Sequence, residues 1–202
     1  MKIGIDIDDT ILYTAKTMFK YADLYVKELS EEPANKDCMG SIRDSYYLNA
    51  YYGWDNNKAI SFFNKYYKQI LNECSMMPNV DKVLSKLKNN GNTIHFITSR
   101  LTNIAGCNTE EITKNCLKEF NIPYDDLNLH VSNKINFFKS NNIDICIEDS
   151  YETCRKMTDN GIKSILMTTN MNKNVDSKDI TRVNSWDEIY EEIGKYQKNG
   201  GI

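Results

Sequence analysis

The sequence predicts an α/β protein with a doubly wound, parallel five-stranded sheet and a helical cap inserted after the first strand. From residue 78 onward, short apolar runs alternate with amphipathic helical stretches, a rhythm typical of a parallel sheet. Between the first apolar run and residue 78, the chain has helical periodicity and is too long for an ordinary crossover. We therefore expect a core of residues 1–11 and 78–202 and a cap of residues 12–77.

The first strand begins at residue 2 and is followed by closely spaced carboxylates. Residues 1–10 read MKIGIDIDDT, and an apolar β-branched run of this kind is typical of a strand buried on both faces. Asp6 and Asp8 are two residues apart, so an extended chain directs both to one side. Two such carboxylates repel each other unless a cation or a shared proton compensates, which favours a metal such as Mg²⁺. Helix capping explains Asp9 or Thr10 equally well, but it does not explain Asp6.

The predicted cap contains two helices and an aromatic cluster between them. Residues 12–29 and 57–74 carry apolar side chains at helical spacing, whereas residues 30–56 lack this pattern. Five aromatic residues crowd the second half of that middle segment: Tyr46, Tyr47, Tyr51, Tyr52 and Trp54. Aromatic rings can stack on a nucleobase. They can equally pack the cap against the core, and both interpretations stay open.

The remaining elements alternate in the order expected for a doubly wound sheet. Glycine at a helix end, capping-box spacing and β-branched runs mark their boundaries. The predicted helices cover residues 79–90, 108–120, 134–141 and 186–195, and a further helix after the fourth strand ends at residue 159. The predicted strands cover residues 93–97, 127–131, 143–147 and 163–167.

Three later strands are also followed by side chains that can do chemistry. Thr98, Ser99 and Arg100 follow the second strand, Lys134 follows the third, and Glu148-Asp149 follow the fourth. The carboxyl ends of parallel strands lie at one edge of a sheet, where open α/β sheets bind ligands. Acids there can hold a divalent cation while Thr98 and Lys134 hold an anion, which together suit a phosphoryl group.

The two aspartates of the first strand suit a covalent mechanism. An aspartate can attack phosphorus and form an aspartyl-phosphate. A second carboxylate two residues away can protonate the leaving alkoxide and afterwards activate water. Taken singly, each of the later groups also fits a structural role. Thr98 can cap a helix, Lys134 can be a solvated surface lysine, and Arg100 can pair with a surface acid instead of the substrate phosphate.

These motifs resemble the four signature motifs of the haloacid dehalogenase (HAD) superfamily, in the family's order and over essentially the whole chain. The resemblance implies that Asp6 is the nucleophile and Asp8 the general acid/base. It also implies that Mg²⁺ is bound by the Asp6 carboxylate, the Asp8 main-chain oxygen and Asp149, and that Thr98 and Lys134 bind the phosphoryl group. It leaves open whether Glu148 is a direct metal ligand or acts through water.

Within this superfamily the chain looks most like the 5′(3′)-deoxyribonucleotidase group. The similarities are the GIDIDDT start, the helical cap, the ITSR run at residues 97–100 and the SWDEI run at residues 185–189. A Mg²⁺-dependent phosphatase acting on a nucleoside 5′-monophosphate is therefore expected. Glu148-Asp149 departs from that group's usual pair of aspartates, which keeps a sugar-phosphate phosphatase or phosphomutase as an alternative. A non-catalytic binding module is a third possibility, although no nucleophile or metal ligand is missing.

Composition excludes several other classes of protein. The net charge of −3, with basic residues scattered among acids, gives no reason to expect nucleic-acid binding. No apolar run approaches membrane-spanning length, and no signal peptide is expected before a strand that starts at residue 2. Six widely spaced cysteines are interpreted as thiols in a reducing cytoplasm. We expect a cytoplasmic enzyme whose partner is a small phosphorylated metabolite.

Overall fold

A six-stranded, fully parallel sheet forms the centre of the molecule in the computed structural model, which describes residues 1–44, 46–100 and 106–198. The strands are β1 (Lys2–Ile5), β2 (Thr93–Ile97), β3 (Asp126–Asn128), β4 (Ile145–Glu148), β5 (Lys163–Met167) and β6 (Thr181–Val183). Their spatial order is β3-β2-β1-β4-β5-β6. The predicted fold class is confirmed, but the expected number of five strands is wrong. The sixth strand has only three residues, too few to show a pattern in the sequence.

Eight α-helices surround or extend the sheet in the described residues. They are α1 (Thr14–Glu28), α2 (Tyr47–Tyr52), α3 (Asn56–Glu73), α4 (Val80–Asn89), α5 (Thr109–Glu119), α6 (Lys134–Asn141), α7 (Tyr151–Asp159) and α8 (Trp186–Lys198), with a 3₁₀ turn at Lys36–Cys38. The bounds of β2, β5 and α6 are those predicted. Within the ranges 1–44, 46–100 and 106–198, no helix is both long and apolar enough to cross a lipid bilayer.

The end of the third strand differs from the prediction. A strand was expected over residues 127–131, but β3 ends at Asn128, and His130 has a φ of 59°, which lies outside strand geometry. The chain turns there so that His130 N donates to Arg100 O and Val131 N donates to Thr98 O. This turn brings the segment after β3 back to the segment after β2.

Both faces of β1 are buried, as its apolar sequence predicts. Ile3 and Ile5 belong to the large cluster that also contains Leu84 of α4 and Ile189 of α8. Gly4 faces the other side, where a Cβ atom would lie only 2.4 Å from Phe138 Cζ. Glycine is therefore needed at this position because α6 packs directly on the β1 backbone.

The chain reverses its direction across the sheet between β1 and β4. It proceeds from β1 to β2 and β3 on one side, and then from β4 to β5 and β6 on the other. β1 and β4 are hydrogen-bonded neighbours, with Ile5 opposite Ile147. The crevice beyond the carboxyl ends of two such strands is where doubly wound sheets bind ligands.

The segments that enter and leave the predicted cap lie side by side. Tyr13 N donates to Ser75 O and Met77 N donates to Ile11 O, both at 2.9 Å. Between these two crossings, α1 packs against α3. The chain thus departs from the sheet and returns to it at a single place, at the carboxyl end of β1.

Candidate active site

Lys134 joins two carboxylates at the crevice between β1 and β4. Its Nζ atom lies 2.6 Å from Asp6 Oδ1 and 2.6 Å from Glu148 Oε2. Asp6 follows β1, Glu148 ends β4, and Lys134 begins α6, whose first turn is capped by Asn133. All three side chains are at least 88% buried, so the ion pairs are shielded from solvent. The structure therefore brings together three of the residues that the sequence singled out.

A third carboxylate completes an acidic cluster. Asp6, Glu148 and Asp149 each offer an oxygen, and these oxygens all lie within 4.8 Å of one another. Burial raises the pKa of Asp6 to about 7, with Glu148 and Asp8 acting in the same direction and Lys134 opposing them. Burial, followed by the charge of Glu148, also raises the pKa of Asp149 well above its usual value. One ammonium for three carboxylates, two buried and one half-buried, leaves a negative charge that a divalent cation with oxygen ligands would compensate.

Glu148 differs from the other two acids because both of its oxygens accept hydrogen bonds from the protein. Oε2 accepts from Lys134, and Oε1 accepts from Ser150 N at 3.3 Å. These contacts hold the lysine in place. In the described part of the chain, Asp6 and Asp149 accept fewer side-chain hydrogen bonds from the protein than Glu148 does.

Asp8 forms a two-point ion pair with Arg100. Arg100 Nε lies 2.8 Å from Asp8 Oδ2 and Arg100 Nη2 lies 2.6 Å from Asp8 Oδ1, while Thr14 Oγ1 donates to Oδ1 at 2.6 Å. Burial alone would raise the pKa of Asp8, but the charge and hydrogen bonds of Arg100 outweigh it and hold that pKa below its usual value. Arg100 also donates from Nη1 to Thr113 Oγ1 at 3.0 Å. Arg100 thus pairs with an acid, as one interpretation predicted, but this acid lines the cavity and is not a surface residue. A contact with substrate phosphate stays a prediction.

The Asp9 side chain caps the first turn of α1, as the capping interpretation predicts, although the helix begins only at Thr14 and the residue at its N-cap position is Tyr13. Both Asp9 carboxylate oxygens accept from Ala15 N, at 2.8 and 3.1 Å. Burial raises the pKa of Asp9 to about 8, because the backbone hydrogen bond only partly offsets the loss of solvent. Its φ of 55° turns the chain sharply between β1 and α1. Asp8 and Asp9, adjacent in sequence, thus make entirely different contacts.

Thr98 and Ser99 lie beside these acids at the end of β2. Thr98 is buried, and its Oγ1 accepts from Arg100 N at 3.2 Å. Ser99 is exposed, and its Oγ donates to Val131 O at 3.1 Å. Both residues line the same cavity as Asp6 and Lys134. We call the residues gathered here the strand-end site: Asp6, Asp8, Thr98, Ser99, Arg100, Lys134, Glu148 and Asp149.

A cavity of about 560 Å³ opens above the strand-end site. The strand-end site forms its floor. Four aromatic residues from α2, α3 and the residue before α2 also line the cavity, and we call them the aromatic wall: Tyr46, Tyr47, Phe63 and Tyr67. Tyr46 is 68% exposed, which is unusual for an aromatic side chain with packing available nearby.

The aromatic cluster predicted from the sequence divides into two parts. Tyr46 and Tyr47 belong to the aromatic wall, whereas Trp54 stacks on Tyr52 with a centroid distance of 4.8 Å and contacts Phe62 at 5.1 Å. Tyr52 and Trp54 are both buried. Sequence reasoning treated the five rings as one group, and it interpreted Phe63 and Tyr67 only as part of the apolar face of a helix.

Sequence reasoning also missed the residues that hold Asp8 and Arg100 in place. Thr14 and Thr113 lie within helices, at positions whose spacing suggested nothing beyond helix packing. Their hydroxyl groups become informative only once the fold places them beside a charged pair.

Comparisons with known proteins agree with this geometry. The family model for the 5′ nucleotidase, deoxy (pyrimidine), cytosolic type C protein matches residues 1–198. A nucleotidase of Clostridium acetobutylicum is 28% identical over 191 residues, 94% of this chain and 92% of its own length. A predicted phosphatase from the same organism shares the fold with a TM-score of 0.71 and 19% identity, covering 96% of this chain and 98% of its own. A haloacid dehalogenase-like hydrolase from Streptococcus pneumoniae has a TM-score of 0.68 and 16% identity, covering 97% of each chain. The chain belongs to the family of the 5′ nucleotidase, deoxy (pyrimidine), cytosolic type C protein and is a phosphatase.

Proposed function

We propose that the protein is a Mg²⁺-dependent phosphomonoesterase that hydrolyses nucleoside 5′-monophosphates, most of all deoxyribonucleotides, through an aspartyl-phosphate on Asp6. The observation that carries this proposal is the convergence of Asp6, Lys134 and Asp149 in a cavity that four aromatic side chains also line. A charged floor suits a phosphoryl group, and aromatic rings suit a base.

Asp6 is the proposed nucleophile because its carboxylate contacts Lys134 and also lies close to Asp149, a proposed ligand of the metal ion. Its oxygen attacks phosphorus, the bond from phosphorus to the ester oxygen breaks, and Asp8 supplies the proton that the leaving alkoxide needs. Water then attacks the aspartyl-phosphate, gives its proton to Asp8, and frees Asp6 and inorganic phosphate. Thr98 and Ser99 at the end of β2 and Lys134 at the start of α6 are the proposed ligands of the phosphoryl oxygens. The Arg100 guanidinium instead contacts Asp8.

Three groups of this chain would hold Mg²⁺: the Asp6 carboxylate, the Asp8 main-chain oxygen and the Asp149 carboxylate. Bound there, the ion would neutralise charge on the phosphoryl oxygens. Both Glu148 oxygens already accept hydrogen bonds, from Lys134 and from Ser150 N, so we propose that Glu148 lies beside the ion without ligating it directly. Its proposed role is to orient Lys134 towards Asp6.

The substrate proposal rests on the segment 12–77, which we propose acts as a cap. It begins and ends at the paired crossings near Tyr13 and Met77, and it supplies the whole aromatic wall. Tyr46, the most exposed member, offers a ring face to a planar ligand. A sugar phosphate offers no comparable surface, which favours a nucleotide.

A substrate panel tests this proposal. We expect phosphate release from nucleoside 5′-monophosphates in Mg²⁺, at rates that exceed those for ribose 5-phosphate and hexose phosphates, and no release in EDTA. Faster turnover of sugar phosphates would overturn the substrate assignment. Conversion of one hexose phosphate into its positional isomer without phosphate release would instead identify a phosphomutase. Undiminished activity in EDTA would overturn the metal assignment.

A further inference from the structure

We propose that Arg100 is a positioning residue that fixes the Asp8 carboxylate for the hydrolysis of the phosphoenzyme. This inference rests on the proposed function, in which Asp8 accepts a proton from the attacking water. The simplest expectation for an arginine in a phosphatase site is that it binds the phosphate. Here its guanidinium points to the carboxylate that handles protons.

The contacts of Asp8 leave one acceptor position uncommitted. Oδ1 accepts two hydrogen bonds, from Thr14 and from Arg100 Nη2, and Oδ2 accepts one, from Arg100 Nε. A carboxylate has about four acceptor positions. Within the ranges that the structure describes, the fourth therefore belongs to Oδ2, and Asp8 borders the cavity. The two-point contact with the Arg100 guanidinium therefore determines which Asp8 oxygen can accept a proton from a water molecule in the cavity.

Arg100 itself is held rigidly, which a positioning role requires. Its side chain is only 2% exposed. Its Nη1 donates to Thr113 Oγ1, and Thr113 Oγ1 donates in turn to Thr109 O at the start of α5. Its backbone N donates to Thr98 Oγ1. The guanidinium thus connects α5 and the end of β2 to Asp8 through a two-point contact, whose geometry a single ammonium cannot reproduce.

The step that depends most on this arrangement is the second one. Water attacks phosphorus, its proton passes to Asp8, and the bond between phosphorus and the Asp6 oxygen breaks. In the first step a good leaving group such as p-nitrophenolate departs with little need of a proton. With p-nitrophenyl phosphate, kcat/KM reports the formation of the phosphoenzyme, and kcat includes its hydrolysis. The two parameters therefore separate the two steps.

The experiment compares Arg100→Met and Arg100→Lys with the wild type, using p-nitrophenyl phosphate in Mg²⁺. Arg155→Met is the matched control, because Arg155 is an exposed arginine of α7 that pairs with Asp159 and Asp179 and does not line the cavity. We expect both Arg100 variants to lower kcat by about 10- to 100-fold, since misplacing a catalytic group costs this much. We expect kcat/KM to change by less than about threefold. Rapid acid quench should show a larger steady-state fraction of phosphoenzyme, while the control behaves as the wild type.

Other outcomes would overturn the inference. An equal fall in kcat and kcat/KM would mean that Arg100 binds the substrate phosphate or only supports the fold. Unchanged kinetics in both variants would mean that Asp8 needs no such support. If Arg100→Met fails to fold because the half-buried Asp8 loses its cation, Arg100→Lys, which keeps the charge, carries the test. Absence of any phosphoenzyme in the wild type would instead refute the proposed function itself.

Discussion

The two sides of the cavity are built from different kinds of contact. On the floor, charged groups meet at hydrogen-bond distance, as when Lys134 bridges Asp6 and Glu148 at 2.6 Å. The aromatic wall instead consists of uncharged rings, among them the most exposed large apolar side chain in the described residues, Tyr46. Directional contacts position reacting atoms, whereas ring faces accept any ligand of suitable shape. In our proposal the reaction therefore takes place at the floor, and the aromatic wall selects the substrate.

The segment 12–77, our proposed cap, also contains aromatic residues in two different environments. Tyr52, Trp54 and Phe62 pack on one another and are buried, whereas Tyr46, in the same segment, faces the cavity. Between residues 46 and 54, aromatic side chains thus have two roles: some pack the interior of the segment and, in our proposal, Tyr46 binds the substrate. Substitutions can separate the two roles.

The largest expected effect concerns the floor. Asp6→Asn should lower kcat by about 10⁴-fold or more, because an amide cannot form the aspartyl-phosphate. The fold should be retained, as the change removes one of several buried negative charges. Steady-state phosphate release and thermal unfolding check both points. Asp176→Asn, an exposed acid paired with Lys178, is the control and should remain fully active. Wild-type turnover by the Asp6→Asn protein would refute the role of Asp6.

Trp54→Ala should separate packing from binding in the cap. We expect it to lower the free energy of unfolding by about 3–5 kcal/mol, because it removes a buried indole from contact with Tyr52, Phe62 and Tyr25. Urea unfolding measures this change. Tyr46→Ala is the matched control, and its stability should stay within about 0.5 kcal/mol of the wild type. Equal destabilisation by both substitutions would show that the two parts of the cluster are not distinct.

Metal binding should stabilise the floor specifically. At a Mg²⁺ concentration of about 100 times its Kd, the free energy of unfolding should rise by about 2.7 kcal/mol, since the ion binds only the folded acids. Asp149→Asn should lose most of this gain, and Asp176→Asn should keep it. Urea unfolding with Mg²⁺ and with EDTA provides the measurement. A gain of the same size in the Asp149→Asn protein would place the ion elsewhere.

The smallest expected effect concerns the aromatic wall. Tyr46→Ala should raise KM for nucleoside 5′-monophosphates by about tenfold, because stacking on one ring contributes about 1–3 kcal/mol per base. The value for ribose 5-phosphate should stay the same, as that substrate has no base to stack. Steady-state kinetics on both substrates checks the prediction. An equal rise for both would mean that Tyr46 shapes the cavity without contacting a base.

The floor was largely predictable because its residues follow successive strands. Parallel strands end at one edge, so Asp6, Lys134 and Asp149 could be expected to meet from their positions alone. The same rule does not predict which acid each basic side chain, such as that of Arg100, pairs with. Arg100 is held beside Asp8 by contacts with the turn at His130 and with the first turns of α5. Contacts between segments so far apart in sequence leave no periodic pattern that could predict them.

The cap was less predictable for a similar reason. Its two long helices followed from apolar spacing, and α3 was expected within one residue of its observed bounds. Helical spacing shows that one face is covered, but not whether protein or a ligand covers it. Phe63 lines the cavity and Phe62 is buried in the cap, although they are neighbours in sequence. Likewise β6 and the early end of β3 depend on pairing between distant segments.

Direct identification of the phosphorylated residue tests the central claim most sharply. The wild-type enzyme would be mixed with a ³²P-labelled nucleoside 5′-monophosphate in Mg²⁺, quenched in acid within the first turnover, and digested for peptide mapping. The account predicts a transient, hydroxylamine-sensitive label on the peptide that contains Asp6, and no label on the Asp6→Asn protein. A label on another residue, or rapid turnover with no covalent label at any time, would contradict it.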